Sequence, residues 1–372
     1  MMLKKHEVCK SKEQTETLEL TEEELKHAEN VFATQKKTRV KTFYANKLEK
    51  SQAKYWNTFY KHNGDRFYKD RHWPRREYSE QFAEASDKKM VLLELGCGVG
   101  NTIFPLLEEF PLLRAYGVDC SHHAINLIKA KPHYNPSICQ VYQGNLLDCD
   151  LSTLLTPFSV PSSQPVSSLA SQNVSSPNSP SSTQINPSAA NSVSTPSSSS
   201  STQDLKVRDI QHVENPVENK QDLTTPEIDI VTLFFVLSSF SNETQAVVVS
   251  KAASALKEGG MLLFRDYARY DMAQLRFGKN SQIDDNFYVR QDNTRSYFFE
   301  KDELIELMAQ AGLRKVICTH HRATLVNRAK QQDMKRIWMH GVFEKVSSSS
   351  VPVIPVDTTL SQSSLETASE PL

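Results

Sequence analysis

The chain has 372 residues, 38% of them hydrophobic, with 43 Lys plus Arg against 44 Asp plus Glu. That length allows one large domain or two ordinary ones, and the low apolar content implies that part of it does not fold. Six cysteines (Cys9, Cys97, Cys120, Cys139, Cys149 and Cys318) form no Cys-x-x-Cys pair and have no His cluster beside them, which argues against zinc and against a disulfide framework.

The opening MMLKKHEVCK runs into Glu-rich sequence without an apolar core, unlike a signal peptide, and no apolar run is long enough to span a membrane. A soluble intracellular protein is expected, cytoplasmic by default with the nucleus as the alternative. Residues 1–50 read as a charged extension, partly helical over LTEEELKHAENVFATQ or disordered. The near-zero net charge conceals an asymmetry. Residues 1–35 carry eight Glu against five Lys, whereas residues 36–76 carry thirteen Lys or Arg against Glu49, Asp65 and Asp70. Ten excess positive charges in about forty residues point to an anionic partner, nucleic acid first, with a solvated basic helix as the alternative.

Residues 51–89 form a basic, aromatic segment, after which the periodicity changes. Strands are predicted at 90–95 (MVLLEL), 114–119 (RAYGVD), 139–144 (CQVYQG), 228–237 (IDIVTLFFVL) and 260–266 (GMLLFRD). Helices are predicted between them at Asn101–Phe110, His123–Ala130 and Glu243–Leu256. Short apolar strands alternating with helices imply a mostly parallel α/β sheet covered on both faces. A further helix at Lys301–Ala311 and strands at Leu313–His321 and Arg336–Lys345 bring the count to seven strands. Residues 151–225, rich in Ser, Pro, Asn and Thr, cannot bury enough apolar surface to offset their ordering entropy and read as a disordered insertion between two parts of one domain, 90–150 and 226–346. The tail, 347–372, reads the same way.

The first strand runs into ELGCGVG. Glycines at 96, 98 and 100 suit a tight turn that lets backbone approach a ligand, but a Gly-rich strand-to-helix turn also suits dinucleotides or no ligand at all. Two details favour S-adenosylmethionine. Glu94 precedes the first glycine, where a carboxylate attracts sulfonium and amino charges and repels a pyrophosphate, and the GxGxxG spacing is missing. Asp119, ending the second strand, can accept from ribose hydroxyls or simply cap the next helix, a role equally open to Ser121. Asn145 and Leu146, after the third strand, stand where an adenine edge would be read, the Asn carbonyl accepting from the exocyclic amine.

Three segments, KYWNTFYKHNGDRFYKDRHW (54–73), ELGCGVGNTIFPLLEE (94–109) and LLFRDYARYDMAQLRF with NFYVRQDNTRSYFF (262–277 and 286–299), closely resemble the tRNA 3-methylcytidine methyltransferases, a class I methyltransferase family. The resemblance covers roughly residues 51–147 and 226–345, and the closing NRAKQQDMKRIWMHGVFEK is similar to the branch acting on threonine-type tRNAs. It implies a Rossmann-like fold, S-adenosylmethionine as cofactor, and methylation of cytidine N3 in the tRNA anticodon loop at nucleotide 32. It further implies that tRNA is the partner, with a tRNA synthetase or adaptor protein as a second one. Cofactor contacts carry over to Trp56, Tyr60, Gly96, Asp119, Asn145, Leu146 and Phe234, with Glu94 and Gly98 added from the loop itself. The family often has Asp at the position of Asn145, where Asn still accepts but carries no charge.

Cytosine N3 has a free lone pair at neutral pH, so transfer needs positioning rather than a general base. A carboxylate near the ring would stabilise charge arriving on the base, and Asp70 and Asp266 are the candidates, pairing with neighbouring Arg71 and Arg265 being the alternative. The base must leave its stack, and aromatics can hold it. Phe67, Tyr68, His72, Trp73, Tyr267, Tyr288 and Tyr297 are available, about half of them expected to be core. Lys69, Arg71, His72, Arg75, Arg265, Arg290 and Arg295 are the candidates for contact with tRNA. Two other readings stay open: a class I methyltransferase of another substrate, and a non-catalytic RNA-binding subunit.

Overall fold

The computed structural model describes residues 14–15, 20–158, 226–327 and 332–347. The Ser-rich stretch of the expected insertion beyond residue 158 and the tail beyond 347 lie outside the described residues.

A two-residue strand, β1 (Gln14–Thr15), is followed by four helices: α1 (Glu22–Lys36), α2 (Thr42–Lys50), α3 (Gln52–Asn63) and α4 (Trp73–Glu77). A capping box starts α1: Thr21 Oγ1 accepts from Glu24 N at 3.2 Å while Glu24 Oε2 accepts from Thr21 N at 3.1 Å. Three glutamates in the first turn and Lys36 in the last complement the helix dipole. From residue 20 onward the charged extension is docked. Buried Gln35 donates to Gln274 O and Phe277 O, both at 3.1 Å, and accepts from Tyr288 Oη at 2.8 Å.

The α/β alternation then appears as expected: β2 (Met90–Leu95), α5 (Ile103–Glu109), β3 (Leu113–Asp119), α6 (His122–Lys129), β4 (Cys139–Gln143), α7 (Leu151–Leu154), β5 (Ile228–Phe234), α8 (Asn242–Ala255) and β6 (Leu256–Tyr267). After α9 (Met272–Leu275), three short strands, β7 (Gln282–Asp284), β8 (Phe287–Val289) and β9 (Arg295–Tyr297), make a small antiparallel sheet. The chain closes with α10 (Lys301–Gln310), β10 (Leu313–Asn327) and β11 (Gln332–Lys345). The main sheet runs β1-β10-β11-β6-β5-β2-β3-β4. The seven long strands are those expected. β6, β5, β2, β3 and β4 are parallel, while β11 and β10 add antiparallel at one edge.

Neighbouring residues on the central strands point into different cores. Leu92, Ile230 and Leu263 pack on one face, and Leu93, Val231 and Leu262 on the other. This two-sided burial explains why the strands read as continuous apolar runs. Boundaries differ from expectation: β6 and β11 begin four residues early, at Leu256 and Gln332, β10 runs on to Asn327, and two further differences bear on the site. β5 stops at Phe234 because Phe235 adopts φ 60°, which breaks the ladder. The chain also stays in the core past residue 150. Leu151 and Leu155 are buried, Tyr116 Oη donates to Thr156 O at 2.8 Å, and Phe158 packs on the Tyr116 ring.

Candidate functional site

In strand order β5 and β3 flank β2, so the loops after these three strands meet at one edge of the sheet, as the switch-point rule requires. The loop after β2 is held by Gly96 N and Cys97 N, which donate to Val118 O at 2.7 and 3.1 Å, and by Gly98 N, which donates to Asp119 Oδ2 at 2.9 Å. Gly96 and Gly98 have φ of 69° and 55°. A Cβ at Gly96 would strike the Val236 side chain, and one at Gly98 the Tyr60 hydroxyl, so only glycine fits this backbone between its two walls.

These loops and α3 line one crevice. Trp56, Tyr60, Gly96, Asp119, Asn145, Leu146 and Phe234 all line it, although they come from five separate stretches of chain. Each Asp119 oxygen accepts one backbone N–H, Ser121 N to Oδ1 at 2.8 Å and Gly98 N to Oδ2, which leaves lone pairs on both. Burial pushes its pKa up to about 6 against those bonds. Glu94 lies beneath the loop. Burial raises its pKa to about 7, partly offset by the Arg71 guanidinium 3.9 Å away, and its Oε2 has no hydrogen-bond partner. The lining combines the Asp119 carboxylate, with free lone pairs, aromatic Trp56 and Tyr60, and the Arg71 guanidinium, with Glu94 beside it. Acceptors and aromatic faces fit a cationic nucleoside with ribose hydroxyls. Asn145 closes a local turn, its Oδ1 accepting from Leu147 N at 3.3 Å and its Nδ2 donating to Asp148 Oδ2 at 2.6 Å, so one lone pair remains for an adenine amine.

Arg71 belongs to this crevice and not to an outer surface. Its Nη1 donates to Thr102 Oγ1 at 3.3 Å and Phe234 O at 3.4 Å, and its guanidinium lies 5.4 Å from the Phe235 ring centroid. Phe235 is a bulky residue in the left-handed region, a conformation that persists only where the surroundings impose it. Its backbone N donates to Arg265 O at 2.7 Å, and its ring meets Tyr267 at 5.3 Å and Trp338 at 6.2 Å. Arg290 and Arg336 stand 5.4 and 5.7 Å from the Tyr267 ring. An aromatic rim with three guanidinium groups therefore borders the crevice.

The remaining expectations divide. Asp266 is fully buried and outside the crevice. Its Oδ2 accepts from Ser238 N and its Oδ1 from Tyr267 N, both at 2.9 Å, so it shapes the turn after β5 rather than facing a base. Asp70 is exposed and accepts from Asn101 Nδ2 at 3.0 Å, also outside the lining. Arg265, 3% exposed, is ion-paired with Glu77 and sandwiched between Trp73 and Trp338 at 4.4 and 4.9 Å. Arg295, 2% exposed, is ion-paired with Glu49 and donates to Gln52 Oε1 at 2.8 Å. Both are internal cations and neither presents its charge to RNA, which corrects their assignment as substrate contacts. Tyr288 and Tyr297 are buried, their hydroxyls donating to Gln35 Oε1 and Glu303 Oε1. Lys69, His72 and Phe67 are exposed. Gln52, Cys120, Val236, Ser239 and Phe240 line the crevice without having been anticipated. The Ser-Ser pair after the apolar run of β5 is the only trace of the last group in the sequence.

Among the described residues no group of His, Cys, Asp and Glu could hold a metal ion, and no helix is long and apolar enough to cross a membrane. A methyltransferase-domain family model matches residues 69–318. The chain is 33% identical to the human (Homo sapiens) tRNA N(3)-cytidine methyltransferase METTL6, over 85% of this chain and 88% of that one. It is 32% identical to the Drosophila melanogaster tRNA N(3)-methylcytidine methyltransferase Mettl2 over 78% and 71%. Against trm141 of Schizosaccharomyces pombe, a tRNA N(3)-methylcytidine methyltransferase, identity is 31% over 83% and 98%.

Proposed function

The chain belongs to the tRNA N(3)-cytidine methyltransferases, S-adenosylmethionine-dependent enzymes that form 3-methylcytidine in tRNA, and on that premise we propose that the crevice under α3 is the cofactor site and that its aromatic rim receives a cytidine of the anticodon loop, nucleotide 32. The observation that carries this reading is the convergence of seven expected cofactor residues on one crevice bordered by Phe235, Tyr267 and Trp338.

The cofactor supplies an activated methyl group on a sulfonium. The protein's part is binding, orientation and electrostatics. Asp119 would accept from the ribose hydroxyls and Asn145 from the adenine. Trp56 and Tyr60 would offer aromatic faces to the cofactor, and a π face attracts a sulfonium. Glu94 supplies negative charge beneath the glycine loop. Asp266 is buried in the turn after β5, so of the two expected acidic stabilisers exposed Asp70 is the one that could face the base. Arg71 and Arg336 are paired with Glu94 and Asp271, and Arg290 donates to Arg295 O and Ser296 Oγ, so the rim offers guanidinium planes more than net positive charge. N3 has its lone pair free at neutral pH, and Phe235 and Tyr267 would fix the plane of the base.

With Arg265 and Arg295 internal, the exposed cations are elsewhere. Lys47, Lys50, Lys54 and Lys61 are exposed along α2 and α3, near the exposed rings of Phe43 (83%) and Phe67 (58%). These lysines are the candidate phosphate contacts, and Lys69 and His72 extend the exposed basic surface. The site of action we propose for a tRNA substrate is the cytoplasm, with the nucleus as the alternative.

The test uses purified full-length protein, labelled cofactor and total tRNA. Nuclease digestion should release 3-methylcytidine, and reverse transcription should stop at nucleotide 32. Threonine tRNAs are the expected best substrates. Label in another nucleoside refutes the substrate, and a stop elsewhere refutes the position. Reactions are run with and without cell extract, so that dependence on a synthetase or adaptor protein appears as activity restored by extract.

A further inference from the structure

Helix α3 lies across the crevice, and two of its polar side chains fasten it to opposite walls. Asn57 reaches the loop after β3. Its Oδ1 accepts from Ser121 Oγ at 3.0 Å and from His123 N at 3.2 Å, so a residue of α3 supplies part of the N-terminal cap of α6. Ser121, fully buried, is the hub of that corner. Its N donates to Asp119 Oδ1, its Oγ accepts from Ala124 N at 3.2 Å, and the same hydroxyl donates to Asn57.

Gln52, at the other end of the helix, reaches the loop after β5. Its Nε2 donates to Ser239 O at 3.1 Å and its Oε1 accepts from Arg295. Arg295 is itself fixed by Glu49, so the pin at Gln52 has a rigid anchor behind it. The two pins are five positions apart, roughly 7.5 Å along a helix. Trp56 and Tyr60 project from the same helix into the crevice, and the Tyr60 hydroxyl rests on Gly98 between the walls.

We infer that Asn57 and Gln52 are positioning residues for the cofactor: they fix α3 at a set height across the loops after β3 and β5, and so fix Trp56 and Tyr60 relative to Asp119. Neither touches the reacting atoms, and Asn57 does not line the crevice. Losing the Asn57 acceptor leaves two donors of α6 short of a partner and frees the aromatic wall to drift from the ribose carboxylate. Aspartate, which accepts both bonds and favours a helix N-terminus, replaces it without loss.

The inference rests on the crevice being the cofactor site, and binding of S-adenosylhomocysteine to the full-length protein separates the two. If the unaltered protein shows no binding that Asp119→Ala abolishes, the assignment of the crevice fails. With that binding in hand, Asn57→Ala and Gln52→Ala should each weaken it by roughly tenfold, the scale of a lost cap. Asn57→Asp and the exposed neighbour Thr58→Ala should bind as the unaltered protein does. Thermal unfolding without ligand should move by only a few degrees in all four, since a general loss of structure would lower it in step with affinity. Unaltered affinity in Asn57→Ala overturns the inference, as does an Asn57→Asp variant as weak as Asn57→Ala. If Asn57→Ala shows no folding transition, Gln52→Ala decides, and unaltered affinity there overturns it.

Discussion

The guanidinium of Arg71 stands 3.9 Å from the carboxylate of Glu94, bringing a cation from the N-terminal segment to the buried end of β2. The same guanidinium reaches Phe234 O and Thr102, so one side chain ties that segment to the ends of two strands. Arg71→Ala should raise the Glu94 pKa further, because the offsetting charge goes while the burial stays. Stability should fall by about 3 kcal/mol, the lower end of the cost of unpairing a buried charge, and S-adenosylhomocysteine affinity should fall at least tenfold. Chemical unfolding and calorimetric titration check both. Arg71→Lys should recover only part, since a compact, strongly hydrated ammonium does not replace the planar guanidinium beside the Phe235 ring.

Cofactor affinity should depend on pH. Burial raises Asp119 to about 6 and Glu94 to about 7, and binding calls for their charged forms. Affinity should therefore rise between about pH 5.5 and 7.5 and level off above, with protons released on binding at the lower end. For folding alone the sign is opposite. A carboxylate whose folded pKa is raised stabilises most below its unfolded value near 4, and that contribution is lost as pH climbs through 6 and 7. Titrations of the unaltered protein and Asp119→Asn in buffers of different ionisation enthalpy separate the contributions. An affinity flat across this range contradicts the assignment.

The pair Arg265–Glu77 carries structure and not substrate binding. Glu77→Ala and Arg265→Ala should each cost about 3 kcal/mol, the lower end for breaking a buried pair, because Arg76 still reaches Glu77 and Trp73 and Trp338 still flank Arg265. The double variant should cost less than the sum, which a double-mutant cycle on denaturation midpoints measures.

RNA affinity should respond instead to the exposed lysines of α2 and α3. Reversing Lys47, Lys50, Lys54 and Lys61 to Glu should weaken tRNA binding and lower the slope of log affinity against log salt by roughly 3, from about 0.7–0.9 per phosphate contact. S-adenosylhomocysteine binding should stay within about twofold, since these side chains do not line the crevice. An unchanged salt slope would place the RNA elsewhere.

Replacing residues 159–225 by a short Gly-Ser linker should leave fold and cofactor affinity intact. Leu151 and Leu155, before the excised stretch, share one surface hollow with Pro226 and Ile228, after it, so the ends to be joined are neighbours. Closing the shorter loop should add up to about 2 kcal/mol of stability. A fall in melting temperature of more than a few degrees would show that the replaced residues support the domain.

The sheet and the cofactor loop were legible because their signals are local. Alternation of apolar strands with helices, the glycines of ELGCGVG and the acid at Asp119 each follow from neighbours in sequence. What escaped depended on pairing across the chain. Arg265 and Arg295 look like RNA contacts beside aromatics, yet their partners Glu77 and Glu49 lie more than 180 residues away, and nothing local announces them. Asp266 follows Arg265 on β6, a strand covered on both faces, so the two point opposite ways and both are buried. The end of β5 was misplaced because apolar sequence continues through Phe235 to Leu237, while the backbone reverses at Phe235. The three-stranded sheet of residues 282–297 was missed because strands this short leave little alternation to detect.

The crevice takes Trp56, Tyr60, Asp119 and Asn145 from the chain before residue 158, and Phe234, Val236 and Ser239 from the chain after 226. Within the main sheet, apart from the two-residue β1 at the edge on β10, those two portions meet along β2 with β5. A molecule filling the crevice therefore staples one half of the polypeptide to the other. Its binding energy is also assembly energy, and the saturated protein resists parting along that seam more than the empty one does.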